Sequence, residues 1–152
     1  MHLWRRFVLS LFGAKLAPRV FIYSSVRIWS PRNLIMKDCA TLGRHANCYN
    51  MGQVTLGKHA IVSQSVHICG GTHDVDDIHF QLNVRPIMIS DFAWVAAEAF
   101  VGPGVTIGEG AVLGARGVTF RDIPAWKIFT GNPAVFLRDR NCQPELRGQG
   151  AE

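Results

Sequence analysis

Three carboxylates and two histidines fall within the seven positions from His73 to His79, in the stretch Gly70-Gly71-Thr72-His73-Asp74-Val75-Asp76-Asp77-Ile78-His79-Phe80. A neutral imidazole, with an ordinary pKa of about 6.5, can take a proton from a hydroxyl near neutral pH. His73 is therefore a candidate general base. By position alone, a solvated loop histidine explains it equally well. Asp74 follows directly and could orient a base, or simply solvate the loop. His79 reads as a surface residue, with a second site histidine as the alternative. His67, His73 and His79 are spaced by six, and three histidines can hold zinc. His67 follows Val66 inside a regular stretch, however, whereas His79 lies in the irregular one. No metal is expected.

Such a cluster needs a rigid support, and the flanking sequence supplies one. Every sixth residue from Ile89 gives Ile89, Val95, Val101, Ile107, Leu113 and Thr119. The residue after each of the first five is small: Ser90, Ala96, Gly102, Gly108, Gly114. Four positions after each come Ala93, Ala99, Val105, Ala111 and Gly117, again small or modest. A helix repeats near 3.6 residues and a simple strand at 2. A period of six fits short strands separated by tight turns, three strands to a coil. Coils of this kind stack at a strand spacing of about 4.8 Å. The sequence thus predicts an all-β parallel β-helix.

The frame recurs upstream with slips. Leu56, Val62 and Ile68 make one coil; Met36, Leu42 and Cys48 make another; Ile22, Ile28 and Leu34 read as a weaker third. The frame moves by two residues between groups, so turns are enlarged there, as at Asn50-Met51-Gly52-Gln53. The stretch from Thr72 to Pro86 breaks the frame altogether and reads as a loop projecting from the scaffold, where chemistry tends to sit. The expected division is a helical cap over residues 1–19, the β-helix over 20–124 with an excursion over 72–86, and a C-terminal segment over 125–152. That last segment holds the turn Gly131-Asn132-Pro133-Ala134, and its polar tail opens at Arg138-Asp139-Arg140.

Residues His2 to Leu16 carry helix formers with apolar positions at Leu3, Phe7, Leu11 and Phe12. The bland reading is a helix that covers the open end of the β-helix, whose edge needs protection. The sharper one is a helix lying on a membrane surface. The basic-then-apolar start imitates a leader, but its apolar run is shorter than a leader's and no cleavage site follows. It is also too short to span a bilayer.

Of the 152 residues, 48% are hydrophobic and 18% charged, a balance that suits a packed domain and argues against disorder. The net charge of +5 suggests an affinity for anions. The basic residues are scattered, without the stripe or motif that nucleic acid requires. A phosphate-bearing small molecule or an acidic membrane surface accounts for the charge instead. Cys39, Cys48, Cys69 and Cys142 form no CxxC pair and suggest no disulfide framework, so a reducing, cytoplasmic compartment is expected.

The second half resembles the hexapeptide-repeat acyltransferases. The residues that carry the resemblance are Pro86-Ile87-Met88-Ile89, Phe92-Ala93-Trp94-Val95, Val101-Gly102-Pro103-Gly104-Val105-Thr106-Ile107-Gly108, Asp122-Ile123-Pro124 and Gly131-Asn132-Pro133-Ala134. The likeness runs from about residue 20 to 138. It lies on the branch of galactoside, maltose and serine O-acetyltransferases, nearest the colanic acid and exopolysaccharide enzymes. It implies a left-handed helix and a homotrimer with active sites at subunit clefts. It also implies acetyl-CoA as cosubstrate and a sugar or glycan hydroxyl as acceptor. His73 then matches the catalytic histidine. Asn50 matches an acceptor-binding asparagine, across a gap in the alignment. Trp94 matches an aromatic residue lining the cleft. Asp74, next to His73, is a further candidate substrate contact. Ala96, Ala97 and Ala115 match positions along which the pantetheine arm runs. Arg121 and Arg138 match basic positions near the CoA phosphates. The chain departs from the family at Val95-Ala96, where Ile-Gly is common, and at Phe120-Arg121, where Thr-Lys is common. It departs again at Val135, where a basic residue is common. For both arginines a solvated surface is the competing explanation; for Trp94 it is core packing.

Two other classes compete. A γ-type carbonic anhydrase shares the repeat but needs three zinc-bound histidines and an accompanying motif that is absent. A non-catalytic assembly β-helix is the other; ice binders of this kind want flat arrays of Thr, which this chain lacks. The basic N-terminal segment leans toward an acceptor near the membrane, at its inner face.

Overall fold

The computed structural model describes residues 2–141, with side chains from Trp4 onward. Cys142 and the tail beyond Asn141 lie outside the described residues. After one helix, α1 (His2–Leu11), the chain winds into coils of three short strands each. The first coil is β1 (Lys15–Leu16), β2 (Phe21–Ile22) and β3 (Arg27–Ile28). The second is β4 (Leu34–Met36), β5 (Thr41–Leu42) and β6 (Asn47–Tyr49). The third is β7 (Val54–Leu56), β8 (Ile61–Val62) and β9 (His67–Cys69). A hairpin, β10 (Gly71–His73) and β11 (Leu82–Val84), then leaves the stack. The fourth coil is β12 (Ile87–Ile89), β13 (Trp94–Val95) and β14 (Phe100–Val101); the fifth is β15 (Thr106–Ile107), β16 (Val112–Leu113) and β17 (Val118–Thr119). A second hairpin, β18 (Lys127–Thr130) and β19 (Val135–Asp139), follows.

Equivalent strands of successive coils pair in parallel and make three walls. The first wall runs β1-β4-β7-β12-β15, the second β2-β5-β8-β13-β16 and the third β3-β6-β9-β14-β17. β18 extends the second wall in parallel, and β19 closes on β18 antiparallel. This is an all-β solenoid with one short N-terminal helix, consistent with a left-handed β-helix.

The hexad explains the packing. On each wall the aliphatic residue points inward: Leu42, Val62, Val95 and Leu113 are fully buried on the second wall, Cys48, Ile68 and Val101 on the third. Burying a Val, Leu or Ile contributes about 1.5–3 kcal/mol each. The small residue after it passes under the next coil. A Cβ on Gly43 would lie 2.7 Å from the Ser63 carbonyl carbon, and one on Gly57 2.4 Å from the Asp91 amide nitrogen. Turn residues three positions after the wall residue adopt left-handed conformations, from Cys39 (φ 57°) to Arg116 (φ 57°). This sixfold rhythm of turns was not read from the sequence, because only Gly104 and Gly110 among these turn residues are glycine.

One grouping differs from expectation. Leu34 belongs with Met36 in the second coil, and Leu16 opens the first. Strand β4 is three residues long, so Leu34 and Met36 both face the core while Ile35 faces out. The room for these longer strands comes from the corner between the third and first walls. Counted between inward-facing wall residues, this corner takes eight positions from Ile28 to Met36, eight from Cys48 to Leu56 and 21 from Ile68 to Ile89, before tightening to six from Val101 to Ile107. The excursion is thus the largest of three successive enlargements at one corner.

At the N-terminal end α1 lies against β1 and β2, with Leu9 and Ala14 joining the core. At the other end the turn at 131–134 joins β18 to β19. Residues 127–139 carry no hexad, yet they form regular strands. Arg138, expected at the start of a polar tail, pairs with Ile128 inside that hairpin.

Candidate active site

The enlarged corner is built from below. Asn50 is fully buried; its Oδ1 accepts from the Ser30 amide at 3.0 Å and its Nδ2 donates to the Ser30 carbonyl at 2.6 Å. Asn33 Nδ2 donates to the carbonyls of Asn50 and Met51. The Gly70 amide donates to the Tyr49 carbonyl at 2.9 Å. The carboxamide of Asn50 is therefore engaged in joining one corner to the next, beneath the excursion.

On this base stands the hairpin, with Gly71 opposite Val84, Thr72 opposite Asn83 and His73 opposite Leu82. His73 is exposed at its outer end. Its Nδ1 lies 2.6 Å from the Phe80 carbonyl oxygen. A carbonyl only accepts, so Nδ1 donates in this pairing, and Nε2 is the nitrogen that bears the lone pair whenever the ring is neutral. Phe80 itself holds a φ of 48°, uncommon for a bulky side chain. Asp74 and Asp77 shape the intervening loop: Asp74 Oδ1 accepts from the Asp76 amide at 3.1 Å, and Asp77 Oδ1 from the His79 amide at 2.7 Å. His79 is exposed.

A second assembly lies on the second wall. Trp94 sits in register between Ile61 and Val112 and is 43% exposed. Its Nε1 donates to Ser63 Oγ at 2.9 Å. An open groove of about 820 Å³ runs beside it, lined by Ser63, Ala96, Ala97, Ala115, Ile128 and Arg138 among others. Small residues leave its floor at backbone level: the Ala96 amide donates to the Leu113 carbonyl, and the Gly114 amide to the Phe129 carbonyl. Arg138 is exposed at the hairpin that roofs the groove. The structure thus brings five expected residues together: Trp94, Ala96, Ala97, Ala115 and Arg138. Arg121 is not among them. It lines a separate hollow of about 380 Å³ with Phe120 and the turn at 132–135.

The two assemblies do not meet in one chain. His73 leaves the corner between the third and first walls, and that corner is opposite the second wall, where Trp94 lies. The excursion also exposes Val75, Ile78, Phe80, Leu82 and Val84, with Ile78 at 86%. Sequence reasoning missed Ser63, because the excursion separates it from Trp94 by 31 positions. It also missed Arg140, which donates to the carbonyls of Phe92 and Gly110 at 2.9 Å and lies over the Trp126 ring. Among the described residues no group of three or more His, Cys, Asp or Glu is arranged to hold a metal.

No family model matches the chain. A protein of Escherichia coli strain K12 with the provisional name colanic acid biosynthesis acetyltransferase WcaF is 44% identical over 140 residues, covering 92% of this chain and 77% of that one. A provisionally named acetyltransferase of Schizosaccharomyces pombe is 38% identical over 91 residues, covering 56% of this chain and 42% of the relative. Among solved structures, a maltose O-acetyltransferase from Clostridium difficile 630 superposes with a TM-score of 0.81 at 21% identity, covering 91% of this chain and 75% of the other. A hexapeptide-repeat acetyltransferase of Vibrio cholerae, crystallised with acetyl coenzyme A, gives 0.74 at 22% identity, covering 93% and 79%. With its stacked hexads and its extended identity to an acetyltransferase, this chain belongs to the hexapeptide-repeat acetyltransferases.

Proposed function

We propose that the chain transfers an acetyl group from acetyl-CoA to a sugar hydroxyl, in the synthesis of an exopolysaccharide or another surface glycan. The observation that carries this reading is the His73–Phe80 pairing. It holds the imidazole in the tautomer whose Nε2 can accept a proton. In the proposed reaction His73 Nε2 takes the proton of the acceptor hydroxyl as its oxygen attacks the thioester carbonyl carbon. The carbon–sulfur bond then breaks, and the proton held on His73 can pass to the departing sulfur. No covalent enzyme intermediate is needed. General-base assistance of this kind contributes about 10²–10⁴-fold.

The groove beside Trp94 suits an extended pantetheine arm. Ala96, Ala97 and Ala115 let a thin chain approach the backbone, and Arg138 stands at one end as a cation for phosphate. Arg121 lies apart from this groove in one chain, so its part in CoA binding would come at another edge of the site. Asp74, committed to the loop's own turn, would act on the acceptor through loop shape. Asn50 supports the corner from which His73 rises.

Because His73 and the Trp94 groove lie on opposite sides of the prism, the reading requires two copies to complete one site. A homotrimer supplies such clefts by closed symmetry. The apolar side chains exposed along the excursion give it a surface to bury against a neighbour. Cys39, Cys48 and Cys69 are free, which supports a cytoplasmic site of action. Among the described residues no helix is long and apolar enough to cross a membrane.

The test is acetyl-CoA turnover with sugar nucleotides, free glycosides and lipid-linked glycans as acceptors. The wild type should release CoA with one class, and His73→Ala should lose about 10²-fold or more while keeping its oligomeric mass. Near-normal turnover by His73→Ala, or failure of the wild type to bind acetyl-CoA, would sink the proposal.

A further inference from the structure

α1 presents two different faces. Leu9 is buried toward the solenoid, and Arg5 donates from its guanidinium to the carbonyls of Ser24 and Val26, while Arg6 donates to that of Pro18. These contacts fix which side of the helix looks outward. On that side Trp4, Phe7 and Leu11 recur at helical spacing, followed by Phe12; they are 69%, 59%, 71% and 66% exposed. Four bulky apolar side chains on one exposed helix face and its end are more than scattered surface hydrophobicity explains.

The charge around this row is one-sided. The first 37 residues contain seven Lys or Arg and no Asp or Glu. Arg19 is paired with Asp38, and Lys37 with Asp91. Among the described residues, Arg5, Arg6, Lys15, Arg27 and Arg32 have no acidic partner. Of these, Arg5 and Arg6 follow Trp4 in α1 at one end of the apolar row, and Lys15 and Arg32 lie past Phe12 at the other. Arg5 and Arg44 line a groove of about 510 Å³ beside Trp4. Arg32 lies next to Gly13, just past Leu11 and Phe12, where a Cβ would come within 3.2 Å of its own.

We infer that this end of the solenoid docks on an anionic phospholipid surface, with Trp4, Phe7, Leu11 and Phe12 entering the interface and the flanking cations meeting headgroup phosphates. An aromatic-rich row between basic residues is the pattern of an interfacial helix. A protein partner would need a shaped, acid-rimmed hollow to meet one convex helix; a bilayer needs only its surface charge and its acyl boundary. Each basic residue near such a surface contributes on the order of five-fold in affinity, and salt screens the attraction. The inference does not depend on the acetyl-transfer reading, and its test does not use activity.

The experiment is flotation of the full chain with vesicles of phosphatidylcholine and phosphatidylglycerol in equal parts, and of phosphatidylcholine alone. The protein should float with the anionic vesicles, not with the neutral ones, and high salt should release it. Lys15→Glu with Arg32→Glu, and separately Phe7→Ser with Leu11→Ser, should each weaken binding about ten-fold or more. All four residues are exposed, so both pairs should keep the wild-type circular dichroism. If the apolar pair misfolds, the charge pair alone decides. Wild-type protein that stays down with anionic vesicles overturns the inference, as does charge-reversed protein that floats like wild type. A fall in the oligomeric mass of the apolar pair without vesicles would assign the face to a second copy and overturn it as well.

Discussion

His67 is half-buried on the third wall, 3.5 Å from Asn47 through Nε2 and edge-on to the Phe100 ring. Burial pushes its pKa below the ordinary 6.5. Below about pH 6.5 the unfolded chain therefore binds a proton that the folded chain resists, so stability is full above that pH and is lost as pH falls through the depressed folded value. His67→Gln should flatten that slope in melts between pH 7 and 5; an unchanged slope would assign the acid sensitivity elsewhere. Cys48 shows the same cause on an acid: burial pushes its thiol up to about 12. It should resist thiol reagents in the native protein until denaturant is added. In the groove, exposed Ala115 offers a steric test of the CoA reading. Ala115→Trp should raise KM for acetyl-CoA about ten-fold or more, with the fold intact.

The coil elements are legible in the sequence alone, because a period of six with small neighbours has few structural solutions. Their close approach can be measured. Gly57→Ala would drive a Cβ into the Asp91 and Ser90 backbone and should cost about 1–3 kcal/mol in thermal unfolding. The terminal hairpin was not legible: β18 and β19 lack the hexad, and their place is set by pairing with β16 and by Arg140 binding two carbonyls far away in sequence. The site was half legible. His73 stood out as a break in the frame, and the alanines as small places on a wall. The carbonyl of Phe80 could not be read, since any residue would supply one. Nor could the burial of Asn50, since an asparagine in a turn looks alike whether it meets a ligand or a neighbouring backbone.

For the whole molecule, the separation of His73 from the Trp94 groove sets the expected behaviour of mixtures. At acetyl-CoA well below KM, His73→Ala should be inactive alone and Ala115→Trp should keep about a tenth of the wild-type rate or less. Co-refolded in equal amounts as random trimers, they should recover roughly a quarter of wild-type activity, because that share of clefts draws an intact histidine and an intact groove from different chains. No recovery would place the whole site within one chain. The corner between the third and first walls has a further consequence. It absorbs added chain three times while the strands on either side keep their register. Closing a longer loop there costs little more than closing a short one. The corner therefore works as an expansion joint. Segments grafted between Gly71 and Val84 can be lengthened or exchanged without disturbing the stacked coils, which makes the reach of the histidine toward an acceptor adjustable separately from the stability of the scaffold.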